Sequence, residues 1–459
     1  MDQFVTWDAV ETAERLRRRE VSAVEVVDAA IARAEKLENL GALVTRSFER
    51  AREHAKRELS DAPFAGVPSA IKDLANLEGV KTGFGSAAAG PTPPKKSDPF
   101  VKAYEALGFV SLGKSATPEL GLTATTEPLH GKPCRNPWDH HRTAGGSSGG
   151  AASLVASGIV PIAHGSDGGG SIRVPSACCG LVGLKVTRGR FDMEASRLLP
   201  VNIATHGVLT RTVRDTIAFW EALDRAVPSS WPSLKPEAGP RKLKIGIYLE
   251  PPDGAAIDPE FKQAALDAGK WCESLGHHVE QIPNPVAVQF IDDFIVYWAF
   301  VAWAQSGTMK ALAHREFDKA KIDPWTKGLS EYYARQKVRG AQATWRLMTR
   351  QSSFLDVFKK YDVMLSPTLG VPPPELGYLT PAQDFETKLT RLRSFVPFTP
   401  TYNVTGAPAI SLPLSRTASG LPIGVMFGSA RGNEKTILEL ALQLEEAKPW
   451  PRLPPSVTA

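Results

Sequence analysis

Ser147 and Ser171 stand on two glycine-rich runs, Gly145-Gly146-Ser147-Ser148-Gly149-Gly150 and Gly168-Gly169-Gly170-Ser171-Ile172-Arg173. Glycine tolerates backbone angles that other residues avoid, so such loops let N–H groups converge on one point. A serine at the end of such a loop stands beside donors suited to an oxyanion. The combination points to acyl transfer through a covalent serine intermediate.

A serine hydroxyl is a weak nucleophile until a base takes its proton, and the usual base is histidine. Near the two loops only His164 has a distinctive context, and its strand-like surroundings suit a satisfied core histidine. Ser171 is followed by Ile172-Arg173, which is not the Gly-x-Ser-x-Gly elbow of α/β-hydrolases. The alternative base is lysine. Lys72 interrupts an apolar run that includes Val67, Ala70 and Ile71. Turned inward it would be desolvated, lowering its pKa from about 10.4 toward a usable range. A neutral lysine then serves as a general base. A lysine at a strand end more often points to water, so the residues alone leave the base open.

The whole run Gly145–Pro175, closing on Asp167-Gly168-Gly169-Gly170-Ser171-Ile172-Arg173-Val174-Pro175, resembles the amidase signature family. Gly66-Val67-Pro68-Ser69-Ala70-Ile71-Lys72-Asp73 is similar to that family's lysine motif, and Asn403-Val404-Thr405-Gly406-Ala407-Pro408-Ala409-Ile410-Ser411 to its C-terminal motif. The resemblance implies Ser171 as nucleophile, Lys72 as base and Ser147, on a cis peptide after Gly146, as the bridge between them. It implies an oxyanion hole from the N–H groups of Gly168, Gly169, Gly170 and Ser171. Ser148, Asp167 and Arg173 are then supports. Thr125-Thr126-Glu127-Pro128, Arg135-Asn136-Pro137-Trp138 and Val186-Thr187-Arg188-Gly189-Arg190 resemble the branch of nylon-oligomer cyclic-dimer hydrolases. The chain departs from that branch at Leu122, where a polar side chain would help hold a carbonyl oxygen. Leu122 and Thr123 are therefore expected at the substrate, against an apolar wall. Bulky uncharged aryl or alkyl amides, carbamates and esters are the expected substrates.

The elements that must position these residues read as an α/β chain. Helical patterns fill 7–58, with Ser22 and Glu25 spaced as a capping box. Further helices are expected over 99–107, 149–157, 259–274 and 434–446. Strands are expected at 109–112, 159–163, 244–248, 278–279, 362–365 and 409–412. Residues 117–143 read as loop, and 225–242 as a linker or surface excursion. The segment 286–358 reads as mostly helical. Its aromatic run Phe294–Ala304 is too short to span a bilayer, which takes about 20 residues; it suits a buried helix first, with lining of a substrate pocket by its aromatics as the alternative. The βαβ-like rhythm predicts a sheet with helices on both faces. With the resemblance, this becomes a single α/β/α sandwich over 1–459 around a large mixed twisted sheet. The variable helical segment 225–350 is expected to cap the pocket.

Composition narrows the partners. Formal net charge is +5, from 54 basic against 49 acidic residues, a small excess that argues against a nucleic-acid binder. The densest basic run, Arg15-Leu16-Arg17-Arg18-Arg19, reads as a solvated helix face. The four cysteines, Cys134, Cys178, Cys179 and Cys272, have no metal-ligand spacing, the adjacent pair Cys178-Cys179 reads as buried free thiols, and a reducing, cytoplasmic setting is expected. The adjacent pairs His140-His141 and His277-His278 diverge in direction and do not suit one metal. No cofactor, metal, nucleic acid or membrane is implied; the expected partner is a small-molecule amide or carbamate, met by a monomer or homodimer. Two rivals share the scaffold: the glutaminase subunit of a tRNA-dependent amidotransferase, and a non-catalytic interaction protein. The joint presence of Lys72, Ser147 and Ser171 argues against the second.

Overall fold

Apolar runs broken by Gly and Pro become the strands that organise the computed structural model, which describes residues 3–237, 241–312 and 316–458. In chain order they are β1 (Leu43–Arg46), β2 (Pro68–Lys72), β3 (Val110–Ser115), β4 (Arg135–Asn136), β5 (Asp139–Thr143), β6 (Ile162–Asp167) and β7 (Val182–Lys185). Then come β8 (Thr205–Thr210), β9 (Lys244–Ile247), β10 (His278–Gln281), β11 (Val363–Pro367), β12 (Ala409–Arg416) and β13 (Pro422–Ser429). Eight of them form one mixed sheet in the order β10-β9-β11-β13-β12-β7-β8-β6. The β10-β9 and β9-β11 pairs are parallel and the rest antiparallel. A smaller sheet runs β1-β3-β2, and β4-β5 is a hairpin. Most central strands are buried from end to end, as expected of strands covered on both faces.

Two groups of helices pack on the large sheet and complete an α/β/α sandwich. One is Gly149–Ala156 with Arg173–Cys179; the other is Val213–Ala226, Pro259–Ser274 and Glu434–Ala447. The small residues of Gly149–Ala156 are all buried, and the close approach they allow is needed there: a Cβ on Gly150 would strike the Ala116 and Ala42 backbone. Helix 259–274 starts where Asp258 accepts from the Glu260 N–H at 2.8 Å and Pro259 occupies the first turn. The capping box is present: the Glu25 N–H donates to Ser22 Oγ at 3.2 Å and the Ser22 N–H to Glu25 Oε2 at 2.8 Å.

Several boundaries differ from the sequence reading, each for a local reason. The strand expected at 159–163 begins only at Ile162. Ile159 and Val160 instead donate to the Leu154 carbonyl and close the preceding helix, and Pro161 has no N–H to give. The helical region 7–58 contains the short strand β1, paired to β3. The loop 117–143 contains the β4-β5 hairpin. Neither helix nor strand forms between Ala226 and Lys244 among the described residues; 238–240 lie outside them. The segment 286–358 is helical over Phe290–Leu312, Pro324–Arg335, Lys337–Thr349 and Gln351–Leu355, with 313–315 outside the described residues. All four cysteines are buried and free.

Candidate active site

Lys72 ends β2, and its side chain turns inward and is fully buried. Its Nζ lies 2.8 Å from Ser147 Oγ, 2.9 Å from Ser148 Oγ and 3.0 Å from Ser166 Oγ, with the Ser166 carbonyl at 3.4 Å. Burial lowers the ammonium from its ordinary range to about 7, although the nearby Asp167 charge works the other way. The inward lysine of the sequence reading is thus the one observed.

The first serine loop reaches Lys72 because its glycines admit it. Gly145 has φ +77, and a Cβ there would come within 2.9 Å of Pro175 Cα and Cys178 Sγ. The Gly146–Ser147 peptide is cis. The Ser148 N–H donates to the Ser171 carbonyl at 3.3 Å, which ties the first loop to the second.

The second loop follows β6 and wraps around Asp167. That carboxylate accepts from the N–H groups of Gly170 at 2.7 Å and Ile172 at 3.2 Å. Arg173 Nε and Nη2 each donate to it at 3.0 Å, and Asn403 Nδ2 at 2.8 Å. Burial pushes its pKa up, but the Arg173 charge and the bonds from Arg173 and Asn403 prevail and hold it well below the usual carboxylate range. Gly170 has φ +130, and the Thr399 side chain fills the space a Cβ would need. Ser171 is 8% exposed and faces a pocket. Among the described residues its hydroxyl has no hydrogen-bond partner, and the N–H groups of Gly168, Gly169 and Ser171 donate to no protein acceptor. The Gly170 N–H is taken by Asp167, so the cradle expected from four N–H groups has three unengaged.

A pocket opens above Ser171. Its floor is Gly146, Gly169, Gly170 and Ser171; Leu122 and Thr123 form one wall. Helix Phe290–Leu312 presents Phe294 and Trp298, helix Pro324–Arg335 presents Trp325, and helix Phe385–Phe395 presents Leu389. Among the described residues Arg393 is the one charged residue on the lining, and it is committed to Asp292 at 2.9 Å and Asp253 at 3.2 Å. The Leu122 carbonyl accepts from two indoles, Trp298 Nε1 at 3.1 Å and Trp325 Nε1 at 2.9 Å.

The structure therefore gathers Lys72, Ser147 and Ser148 in one cluster and Asp167 and Arg173 beneath the second loop. Gly169, Gly170, Ser171, Leu122 and Thr123 line the pocket, and Gly168 stands outside its lining. Four contributors were not assigned from sequence. Ser166 sits beside Asp167, where strand alternation alone gave no cue to its side chain. Asn403 lies inside the C-terminal motif, which was the available signal. Trp298 belongs to the aromatic run, whereas Trp325 had no motif to mark it. Among the described residues no cluster of His, Cys, Asp and Glu could hold a metal ion, and no helix is long and apolar enough to cross a membrane.

A family model described as Amidase matches residues 25–438. The chain is 42% identical over 454 residues to a protein of Mycobacterium leprae (strain TN) named "Putative amidase AmiC", covering 97% of this chain and 96% of that one. It is 33% identical over 488 residues to the 6-aminohexanoate-cyclic-dimer hydrolase of Pseudomonas sp. (strain NK87), covering 98% and 97%. Among solved structures, 6-aminohexanoate cyclic dimer hydrolase complexed with substrate superposes with TM-score 0.90 at 30% identity over 100% of both chains. A bacterial aryl acylamidase of the amidase signature family superposes with TM-score 0.82 at 26% identity, over 97% of this chain and 96% of that one.

Proposed function

The chain belongs to the amidase family and hydrolyses amides; from that premise we propose that it cleaves the C–N bond of bulky uncharged amides through an acyl-enzyme on Ser171, with Ser147 and Lys72 as its proton relay. The observation that carries this reading is the buried Lys72 amine, 2.8 Å from Ser147 Oγ, beside a serine that opens onto unengaged N–H groups.

The relay follows from counting hydrogens. A neutral lysine has two N–H groups and one lone pair. Ser148 Oγ already donates to the Ser166 carbonyl at 3.2 Å, so it accepts from Nζ. Ser166 Oγ takes the second N–H, and the lone pair is left for the Ser147 hydroxyl. Ser147 passes its proton to Lys72 while receiving one from Ser171. Ser171 Oγ bonds to the substrate carbonyl carbon, and the carbonyl electrons move to oxygen. The N–H groups of Gly169 and Ser171, with Gly168 beside them, stabilise that oxyanion. The relay then runs backwards: Lys72 returns a proton through Ser147 to the leaving nitrogen, the C–N bond breaks and the amine departs. Water repeats the cycle, giving its proton to the relay and its hydroxyl to the acyl carbon, and Ser171 Oγ recovers its hydrogen.

The pocket supports the substrate class. Its walls are indole, phenyl and branched alkyl, and its one charge is already paired, so a charged substrate would lose hydration without compensation. The relatives' names, an aryl acylamidase and a cyclic-dimer hydrolase, support amides with apolar groups on both sides of the bond. Carbamates and esters present the same carbonyl to the same nucleophile and are included in the proposal. The test is a panel of anilide, alkyl amide, aryl carbamate and ester substrates, with mass spectrometry of the peptide containing Ser171 during turnover. The expected result is cleavage of the apolar members and an acyl mass on Ser171. Turnover confined to small charged amides, or an acyl group on another residue, overturns it.

A further inference from the structure

β2 and β6 are the facing edges of two different sheets, and no backbone ladder joins them. Edge strands leave N–H and C=O groups that need partners when buried. Here the junction is closed chiefly by side chains. Ser69 Oγ donates to the Ile162 carbonyl at 2.9 Å. The Lys72 backbone N–H donates to His164 Nδ1 at 3.2 Å, and Lys72 Nζ reaches Ser166. Positions 162, 164 and 166 of β6 thus each meet β2, in the strand's own period of two.

His164 is itself held. Its Nε2 lies 3.1 Å from Nδ1 of His206 on β8. The contacts assign the hydrogens. Because His164 Nδ1 accepts from Lys72, its ring hydrogen is on Nε2 and is donated to His206 Nδ1; the His206 hydrogen is then on its own Nε2. That Nε2 faces Glu194 Oε2 at 3.7 Å, beyond hydrogen-bond distance. Burial is the largest cause lowering the pKa of the His164 imidazole, and it keeps the ring neutral. A proton on Nδ1 would also set two donors against each other at Lys72. Phe100 stacks on His206 at 4.3 Å between ring centroids, and Phe100 and Tyr104 pack beside His164. Nothing in the relay drawn above uses either imidazole.

We propose that His164, oriented by His206, is a positioning residue for the reaction: its ring takes the place of a neighbouring strand at the Lys72 backbone and so fixes where Nζ stands relative to Ser147. This rests on Lys72 being the base. The histidine touches no substrate and moves no proton. It supplies one acceptor, at one height above β6, at the residue whose side chain must meet three hydroxyls.

The experiment uses the full-length protein and one anilide substrate, with kcat, KM and thermal unfolding measured for His164→Asn, His164→Gln, His164→Leu and His206→Phe. An asparagine amide oxygen reproduces the Nδ1 position, whereas a glutamine reaches past it to the Nε2 position. His164→Leu leaves the buried Lys72 N–H without an acceptor, and kcat is expected to fall about tenfold or more, with KM within about twofold. His164→Asn restores most of that kcat, His164→Gln does not, and His206→Phe falls between. If the leucine variant does not fold, the asparagine and glutamine pair still decides. Equal kcat in those two, or a folded leucine variant with unchanged kcat, overturns the inference. Lys72→Met separates the two readings. If it keeps activity, the base assignment fails and this inference with it; if it is inactive while the His164 series is flat, only the positioning role fails.

Discussion

Around Lys72 Nζ the nearest neighbours are hydroxyls and a carbonyl, all buried; around the mouth of Ser171 the walls are indole, phenyl and branched alkyl. The first region is assembled from strand ends and glycine loops, where backbone geometry leaves each side chain little choice. The second is assembled from long helices, whose inward faces exchange one apolar residue for another at small cost. On the proposed mechanism, reactivity and selectivity rest on separate parts of the chain. Changes in the seam between β2 and β6 should alter kcat for every substrate, whereas changes in the helical wall should re-rank substrates.

The largest expected effect is at Ser171. On the proposed mechanism Ser171→Ala removes the nucleophile, and kcat falls on the order of 10⁵-fold. The hydroxyl has no partner to lose, so the unfolding temperature should stay within about 2 °C of the parent. Steady-state kinetics with calorimetry checks both; near-native turnover would remove the assignment. The same seam sets the pH response. With the Lys72 pKa lowered to about 7, the amine is protonated below that value and neutral above it. On the proposed mechanism activity requires the neutral form. It should therefore rise through pH 7 and level off on the alkaline side, falling about tenfold per unit below. A profile of kcat/KM from pH 5 to 10 measures this, and a maximum below neutrality would contradict the base.

Beneath the loop, Asp167→Asn tests support without touching substrate. Arg173 is fully buried and spends two N–H groups on this carboxylate. Removing one partner of a buried ion pair costs about 3–5 kcal/mol. Chemical denaturation should show that loss, with activity falling as one of the Gly170 and Ile172 amides loses its acceptor oxygen to the asparagine NH2. Stability within about 0.5 kcal/mol of the parent would show that the charge is dispensable.

The contrast between the regions also explains what was legible in the sequence. Lys72, Ser147 and Ser171 stand in motifs where Gly and Pro leave few alternatives, so the sequence marks their positions, though not their contacts. The helix 259–274 was bounded correctly because Asp258 and Pro259 mark its start. Ile159–Ala163 was placed too early because a helix end and a buried strand share the same apolar residues, and only the turn geometry separates them. The Gly170 N–H was expected in the cradle; its engagement by Asp167 depends on a loop turn that spacing does not report. The wall was least legible. The apolar run Phe294–Ala304 reads as a buried helix, with pocket lining by its aromatics as the alternative, but nothing singles out Trp298 or says that Trp325, from another helix, meets the same carbonyl.

In the wall, Trp298→Ala should act on substrates by size. It opens space beside Gly168 and Gly169, where the indole now packs. Burial of apolar surface is worth about 25 cal/mol per Å², so kcat/KM for a bulky aryl amide should fall about tenfold. A short acyl amide that does not reach the indole should change by less than about twofold. A uniform loss across the series would mean that Trp298 belongs with the seam instead.

The smallest effect is the sharpest test of how the two regions meet. The Leu122 carbonyl receives both Trp298 Nε1 and Trp325 Nε1, so two helices are pinned to the loop at a single oxygen. Replacing either indole by phenylalanine removes one N–H and leaves the other to satisfy the carbonyl. Each single change should cost about 0.5 kcal/mol, the low end for one hydrogen bond. The double change leaves a buried carbonyl with neither donor, and such a group costs about 1–3 kcal/mol. The pair should therefore be more than additive in stability, by about 1 kcal/mol in a double-mutant cycle. In kinetics the same cycle should raise KM for bulky amides while leaving kcat for a small ester unchanged, because the seam is untouched. Strict additivity would show that the two indoles act independently, and that the helical wall is held by apolar packing alone.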